Sequence, residues 1–508
     1  MSTPAHPLPS TPSVSRLAAC SVLALLAPLV VGAGCTGEDP DGAGDLGATG
    51  DTGETGDETG DETGDETGEP AVEDLEIVFV EVPESGTRVA ASWFVYAAPD
   101  AVAYACTLDG EALDDCDGHS FAVPVALGAH RFEVAAIGSQ GATGPTAAHE
   151  WTIDSVFGEA HPELVPTMVQ PSPVDEAGWR GIFRINCDFA HAAYDDPIVF
   201  PGQADAAHLH GFYGNLGLDH ASDFESLYAS PESSCQGNTV NGSAYWIPVL
   251  LAPLYDELSG ERLLDEQGEP AWEVVPAVVG NDDVAHEVFY YSAAVDDLDS
   301  IQSIPPGLRM IAGTATTTPS DPAQDTGIVR WHCQSWESDD ATNPNFSPTI
   351  PECAEPDRLR MDIFFPSCWN GVDLDSPDHK SHMAYPVNDG GPNGTRCPDT
   401  HPIPLLRPSY HYAWPVLPGN SDPETATSRG WRLASDHYEV GFDQPGGLSL
   451  HGDWFNAWHP EVLEAALANC VKAGLDCHDG NLANGTRLSG TQPGTQTIPP
   501  ILAGGLGH

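Results

Sequence analysis

The runs Ala90-Ala-Ser-Trp-Phe-Val-Tyr96, Ala103-Tyr-Ala-Cys-Thr107 and His130-Arg-Phe-Glu-Val-Ala135 decide the fold class at the front of this chain. Each is short, rich in aromatic and β-branched side chains, and alternates in part between apolar and polar residues. Successive side chains of a strand point to opposite faces, so such runs bury one face and wet the other. Similar runs stand at 75–80, 119–123 and 150–154, with turn signals such as Asp109-Gly110 between them. A strand roughly every ten residues predicts an all-β sandwich over residues 72–156.

Working outward, residues 157–480 carry short strand-like runs between loops rich in Pro, Gly, Asp and Asn. One segment, Pro460-Glu-Val-Leu-Glu-Ala-Ala-Leu, reads as a helix: Pro opens it, Glu461 sits in the first turn, and Val462, Leu463, Ala466 and Leu467 form an apolar stripe. Tyr104-Ala-Cys-Thr-Leu-Asp-Gly110, with Cys116 and Gly128-Ala-His-Arg-Phe-Glu-Val134, resembles the Ig-like modules of bacterial surface proteins. The expected fold is mainly β: a small Ig-like β-sandwich followed by a large β-rich (α+β) domain stapled by disulfides.

The N-terminus reads as an export leader. Residues 17–34 carry no charge, Arg16 flanks them, and Gly32-Ala33-Gly34 lead into Cys35. A small-residue run ending in Cys resembles a bacterial lipoprotein signal over residues 1–35, which implies a lipid on Cys35 and a place on the bacterial envelope; plain secretion is the alternative. Residues 36–71 are almost wholly Gly, Asp, Glu, Thr and Pro, a self-repelling linker with nothing to bury. Residues 481–508 read as a flexible tail. The whole chain has 76 acidic residues against 17 basic ones, a balance that excludes a nucleic-acid partner.

Ten cysteines remain after Cys20 and Cys35, an even number that reads as disulfides in an oxidising compartment. Cys106–Cys116 and Cys470–Cys477 are expected local pairs, and the other six leave their connectivity open. The chain has no Gly-x-Ser-x-Gly elbow, no Walker loop and no His-Glu-x-x-His. Gly-x-Gly-x-x-Gly occurs only in the leader and linker, where no strand and helix flank it.

Histidine carries the candidate chemistry. His208 and His210, two apart, point the same way if extended and suit a shared metal ion. His451 and Asp453 form a similar pair, and Asp378, His379 and His382 cluster in Asp378-His-Lys-Ser-His382. With Tyr385 these residues form the candidate catalytic set. His208, His210 and His451 are the candidate ligands of one divalent or transition-metal ion. The same residues serve equally as a general acid and base without metal.

Asp196-Pro-Ile-Val-Phe-Pro-Gly202 and His208-Leu-His-Gly-Phe-Tyr-Gly-Asn215 resemble the opening of the DUF1996 domain. Ser243-Ala-Tyr-Trp-Ile-Pro248, Phe364-Phe-Pro-Ser-Cys-Trp-Asn-Gly371, Asp378-His-Lys-Ser-His-Met-Ala-Tyr385 and His451-Gly-Asp-Trp-Phe-Asn-Ala-Trp458 extend the resemblance over most of the large domain. It implies an extracellular domain and no settled reaction. Tyr213, Tyr245, Trp246, Trp369, Tyr385, Trp454 and Trp458 would line a sugar-binding cleft if they are exposed. The expected function is a surface-tethered, polysaccharide-active enzyme, a hydrolase or lyase with a His/Asp centre. The alternative is a non-catalytic module that binds carbohydrate or the cell surface.

Overall fold

A computed structural model describes residues 74–501 except 124, 176–179, 257, 277–286, 335–345, 389–393, 442 and 496. The leader, Cys35 and the acidic linker lie outside the described residues. In the strand Ser92–Ala97 alternate side chains are buried, as its pattern dictates. It pairs with Val78–Glu81 and His119–Ala122 in a three-stranded sheet. Glu111–Ala112, Ala101–Leu108, Gly128–Gly138 and Ala147–Ile153 form a four-stranded sheet. The two sheets share one core, in which Phe94 stacks on Phe132 at 4.0 Å and meets Trp151 edge-on at 5.2 Å.

The large domain is also built from two main sheets, neither closed into a barrel. One runs in the order Val329–Gln334, Arg358–Phe364, Arg407–Pro415, Glu287–Ser292, Ile182–Cys187, Leu475–Cys477, Ser172–Pro173. The other runs Phe189–Ala193, His210–Gly214, Ala244–Pro248, His451–Phe455, Arg309–Gly313, antiparallel throughout. Period-two alternation turns Phe289, Tyr291, Met361, Ile363, Tyr410 and Tyr412 of the first sheet inward. Tyr245, Ile247, Trp454, Met310 and Ala312 of the second are buried in the same core. Tyr245 lies 4.4 Å from Phe289 and 5.9 Å from Tyr410, ring to ring. Between the sheets the Tyr245 and Tyr291 hydroxyls bond to each other at 2.7 Å, and Trp458 Nε1 donates to Tyr291 at 2.8 Å.

Helix Pro460–Ala466 begins with Pro as expected, and a π-helical turn over Leu467–Val471 prolongs it. Glu461 reaches the end of the small sandwich, accepting from Ser155 Oγ and from Val156 N. His459 Nε2 donates to Arg88 O at 2.7 Å, and Phe121 meets Phe224 edge-on at 5.5 Å. The sandwich is therefore docked on the large domain by both polar and apolar contacts.

All ten remaining cysteines are paired. The two local bridges form as expected, and the other six give Cys187–Cys235, Cys333–Cys353 and Cys368–Cys397. Residues 481–501 differ from the flexible tail expected. Thr486–Leu488 pairs with Leu164–Pro166, Ala192 N donates to Thr497 O at 2.8 Å, and Tyr194 Oη donates to Pro500 O at 3.0 Å. At Gly494 a Cβ would fall 2.3 Å from Ala190 Cα, so glycine lets this backbone lie against the sheet edge.

Candidate functional site

The inner face of the five-stranded sheet is core, and its other face carries the histidines. Cross-strand partners share a face, and Asp453 lies opposite Trp246 and Ile311 while His451 lies opposite Gly313. Two residues apart on one strand, His451 and Asp453 project together, and His210 projects from the same face two strands away. His208 stands just before its strand, with its ring 4.2 Å from that of His210 and 4.9 Å from that of His451. The rings of His210 and His451 are 5.7 Å apart. Each of the three offers a ring nitrogen within 4.8 Å of the others.

Two rings are locked by their neighbours. His210 Nδ1–H donates to Asp195 O at 3.0 Å, and His451 Nδ1–H donates to Ser449 O at 2.8 Å. Each therefore turns an Nε2 lone pair inward. Nε2 of His208, Nε2 of His210 and Oδ2 of Asp453 are buried with no hydrogen-bond partner among the described residues. Asp453 Oδ2 lies 3.8 Å from His451 Nε2. Burial pushes His210 down to about 4 and His451 to about 3, with the His210 imidazole adding to the second shift. His208 is driven well below its usual range by burial and by His210, His451 and His437. All three are neutral at pH 7.

Asp196 completes the cluster, and no His or acid stands two residues from it in the sequence to mark it. It comes within 4.8 Å of His210 and Asp453 through one carboxylate oxygen, and its Oδ1 accepts the N–H groups of Ile198 and Val199 at 2.9 Å each. Burial raises Asp196 to about 6, and burial plus the Asp196 charge raises Asp453 well above the carboxylate range. The only signal for Asp196 was its place at the head of the Asp196–Gly202 motif, read for resemblance alone.

The other expected residues divide. His379 flanks the cluster: its Nδ1 lies 3.0 Å from both Asp375 oxygens, Asp375 is held by Arg309 at 3.2 Å, and a positive charge on His379 would favour ionised Asp196. Its backbone is left-handed, with φ 56°, an uncommon state for a residue with a Cβ. His382 does not join, because both its ring nitrogens are taken, by Ser376 Oγ and Arg309 O. Asp378 caps the exposed turn below it, accepting from Ser376, Lys380 and Ser381. Tyr385 donates to Phe364 O at 3.0 Å and lines a cavity of about 390 Å³, which Lys380, Gly313 and Ile311 join to the histidine face. Tyr213, Tyr245, Trp246, Trp454 and Trp458 are core side chains, so they form no sugar platform.

Elsewhere, Ser409, His411 and Asp362 form a hydrogen-bonded chain at 3.0 and 2.7 Å. Ser409 is wholly buried between its register partners Phe364 and Tyr290, which marks this chain as structural. Fold and site together define a disulfide-bonded, two-sheet β domain with a buried His₃Asp₂ cluster on its outer sheet face. Residues 196–458, more than half of the 508, match the family described as Domain of unknown function (DUF1996), and the chain belongs to that family. Every donor of the cluster falls inside the matched segment. No curated protein matches the chain.

Proposed function

We propose that the domain is a metal-dependent enzyme acting outside the cell on a polysaccharide or related polymer, with His208, His210 and His451 as ligands of a divalent transition-metal ion. The observation that carries this reading is the convergence of buried, partnerless donor atoms on His208, His210 and Asp453. A buried polar atom left unpaired costs on the order of 1–3 kcal/mol, so three in one cluster make little sense as a folding device. Neutral imidazoles and a carboxylate are the donors that zinc, copper, manganese and iron accept. The carbonyls of Asp195 and Ser449 orient the rings as outer partners of metal-bound histidines do.

Bound there, the ion would polarise a substrate oxygen or activate a water. His379 is our candidate for the proton carrier: Asp375 holds Nδ1, which would leave Nε2 for the transfer in hydrolysis and elimination alike. The adjoining cavity, with Thr314, Thr317, Gln324 and Lys380 in its wall, has room for a sugar unit. Export, with lipid on Cys35, belongs to the same proposal and suits a chain whose five disulfides need an oxidising compartment. The non-catalytic alternative loses support because most of the motif aromatics are core.

Elemental analysis of the purified full chain tests the centre. At least one equivalent of a transition metal is expected in the parent, and none in a folded His208→Ala/His210→Ala variant. His382→Ala, outside the cluster, is expected to keep the metal while melting earlier. A parent that takes up no metal after incubation with zinc, copper, manganese or iron would sink the reading.

A further inference from the structure

We infer that the centre is built for two divalent ions, the second held between the carboxylates of Asp196 and Asp453; this rests on the metal reading above. The donors fall into two overlapping groups rather than one: His208, His210 and His451, and then Asp196, His210 and Asp453. Ligands on one ion at about 2.1 Å can be no more than about 4.2 Å apart, so a donor set drawn out in this way fits two adjoining positions. Two-ion centres place their ions about 3.5–4 Å apart; His210, with one free nitrogen, would serve the first ion, and its nearness to Asp196 and Asp453 makes the second position adjacent.

The two groups also differ in chemistry. Three imidazoles bring no charge and suit a borderline transition metal. Two carboxylates suit a harder cation that keeps waters in its remaining positions. Asp196 spends Oδ1 on two backbone N–H groups, which fixes the carboxylate. Asp453, almost wholly buried, has an Oδ2 with no hydrogen-bond donor among the described residues. Two buried carboxylates repel each other, and Lys380, whose ammonium is bound to Gly313 O at 2.7 Å, is the cation that faces Asp453. Among the described residues neither Lys380 nor His379, the cationic neighbours of Asp453 and Asp196, hydrogen-bonds to either acid, whereas an ion between them would bind both. Asp453, 3.8 Å from His451 Nε2, is near enough to the imidazole group that it would be available to both ions.

The test loads the full chain with Mn²⁺ or Zn²⁺, removes excess by gel filtration and counts ions per chain. Two are expected in the parent, and Mn²⁺ at both positions should give an exchange-coupled electron paramagnetic resonance signal. Asp196→Asn keeps the oxygen that accepts from Ile198 and Val199, so the turn survives. It should hold one ion with an uncoupled signal. Asp453→Asn, a second variant that alters no backbone contact, should also fall below two. One ion in the parent and in Asp196→Asn alike, with no coupling, overturns the second site and leaves the first. No ion in the parent overturns both readings.

Discussion

At the scale of single residues, the cluster sets how stability depends on pH in the metal-free protein. His210 and His451 titrate at about 4 and 3 when folded, against 6.5 in the open chain. Between those values the unfolded chain binds protons that the folded one refuses, so these groups make stability fall as pH drops below 6.5. His208 acts in the same direction. Asp196 acts in the opposite one: raised from 3.8 to about 6, it binds a proton when folded, and that stabilisation is lost as pH rises through 6. Asp453 is also raised and joins it. With three imidazoles against two carboxylates, the fall in stability toward low pH is the expected net direction. After chelator treatment, urea midpoints are expected to decline from pH 6 to pH 4, and more steeply in Asp196→Asn, which removes one opposing group. A flat profile, or one that rises toward pH 4, would show that the imidazoles are not buried as described.

At the scale of elements, what counts is how closely the two sheets approach. Gly452 sits between His451 and Asp453, on the face opposite theirs. A Cβ there would fall 2.9 Å from Ile363 Cδ1 and 3.2 Å from the Tyr410 ring. Gly452→Val is therefore expected to push the sheets apart and to lose about 1–3 kcal/mol in a denaturant titration, with weaker metal retention because its strand carries two donors. An unchanged midpoint would mean that the sheets are not in contact there. Strands of this kind were legible where alternation was clean, as at Ser92–Ala97, and so was the helix opened by Pro460. The His210–Gly214 and His451–Phe455 strands are buried on both faces. They show no alternation, and only the motif residues themselves marked them. His208, His210, His451 and Asp453 were legible because histidines or a histidine and an acid stood two apart. His382 and Asp378 stand out only as members of the cluster Asp378-His-Lys-Ser-His382, and a turn consumes their polar atoms.

Across the whole molecule, the cluster depends on bringing together segments from both ends of the matched domain, and neither spacing nor composition reveals that Asp196 meets Asp453. Strand order fixes it, and strand order rests partly on cross-links whose partners the sequence left open. Cys187 ends a strand of the seven-stranded sheet, and Phe189 begins the edge strand of the other. The chain thus changes sheets at this bridge to Cys235, whose neighbour Ser234 bonds through its hydroxyl to Gly214 N at the far end of the His210 strand. The bridge closes a loop with a sequence separation of 48. Loop-closure entropy alone assigns it about 4 kcal/mol, a large share of the 5–15 kcal/mol typical of a folded domain. Replacing Cys187 and Cys235 together by Ala is expected to lower the thermal midpoint by well over 5 °C and to loosen the His210 strand, so that the metal is lost to a chelator faster than from the parent. Removing Cys106 and Cys116 makes the control. Their bridge lies in the small sandwich, with a sequence separation of 10, and should leave metal retention unchanged. Equal metal loss from both variants would mean that the centre responds to global stability and not to the junction between the sheets. Loss confined to the Cys187–Cys235 variant would tie the site to the point where the chain crosses from one sheet to the other.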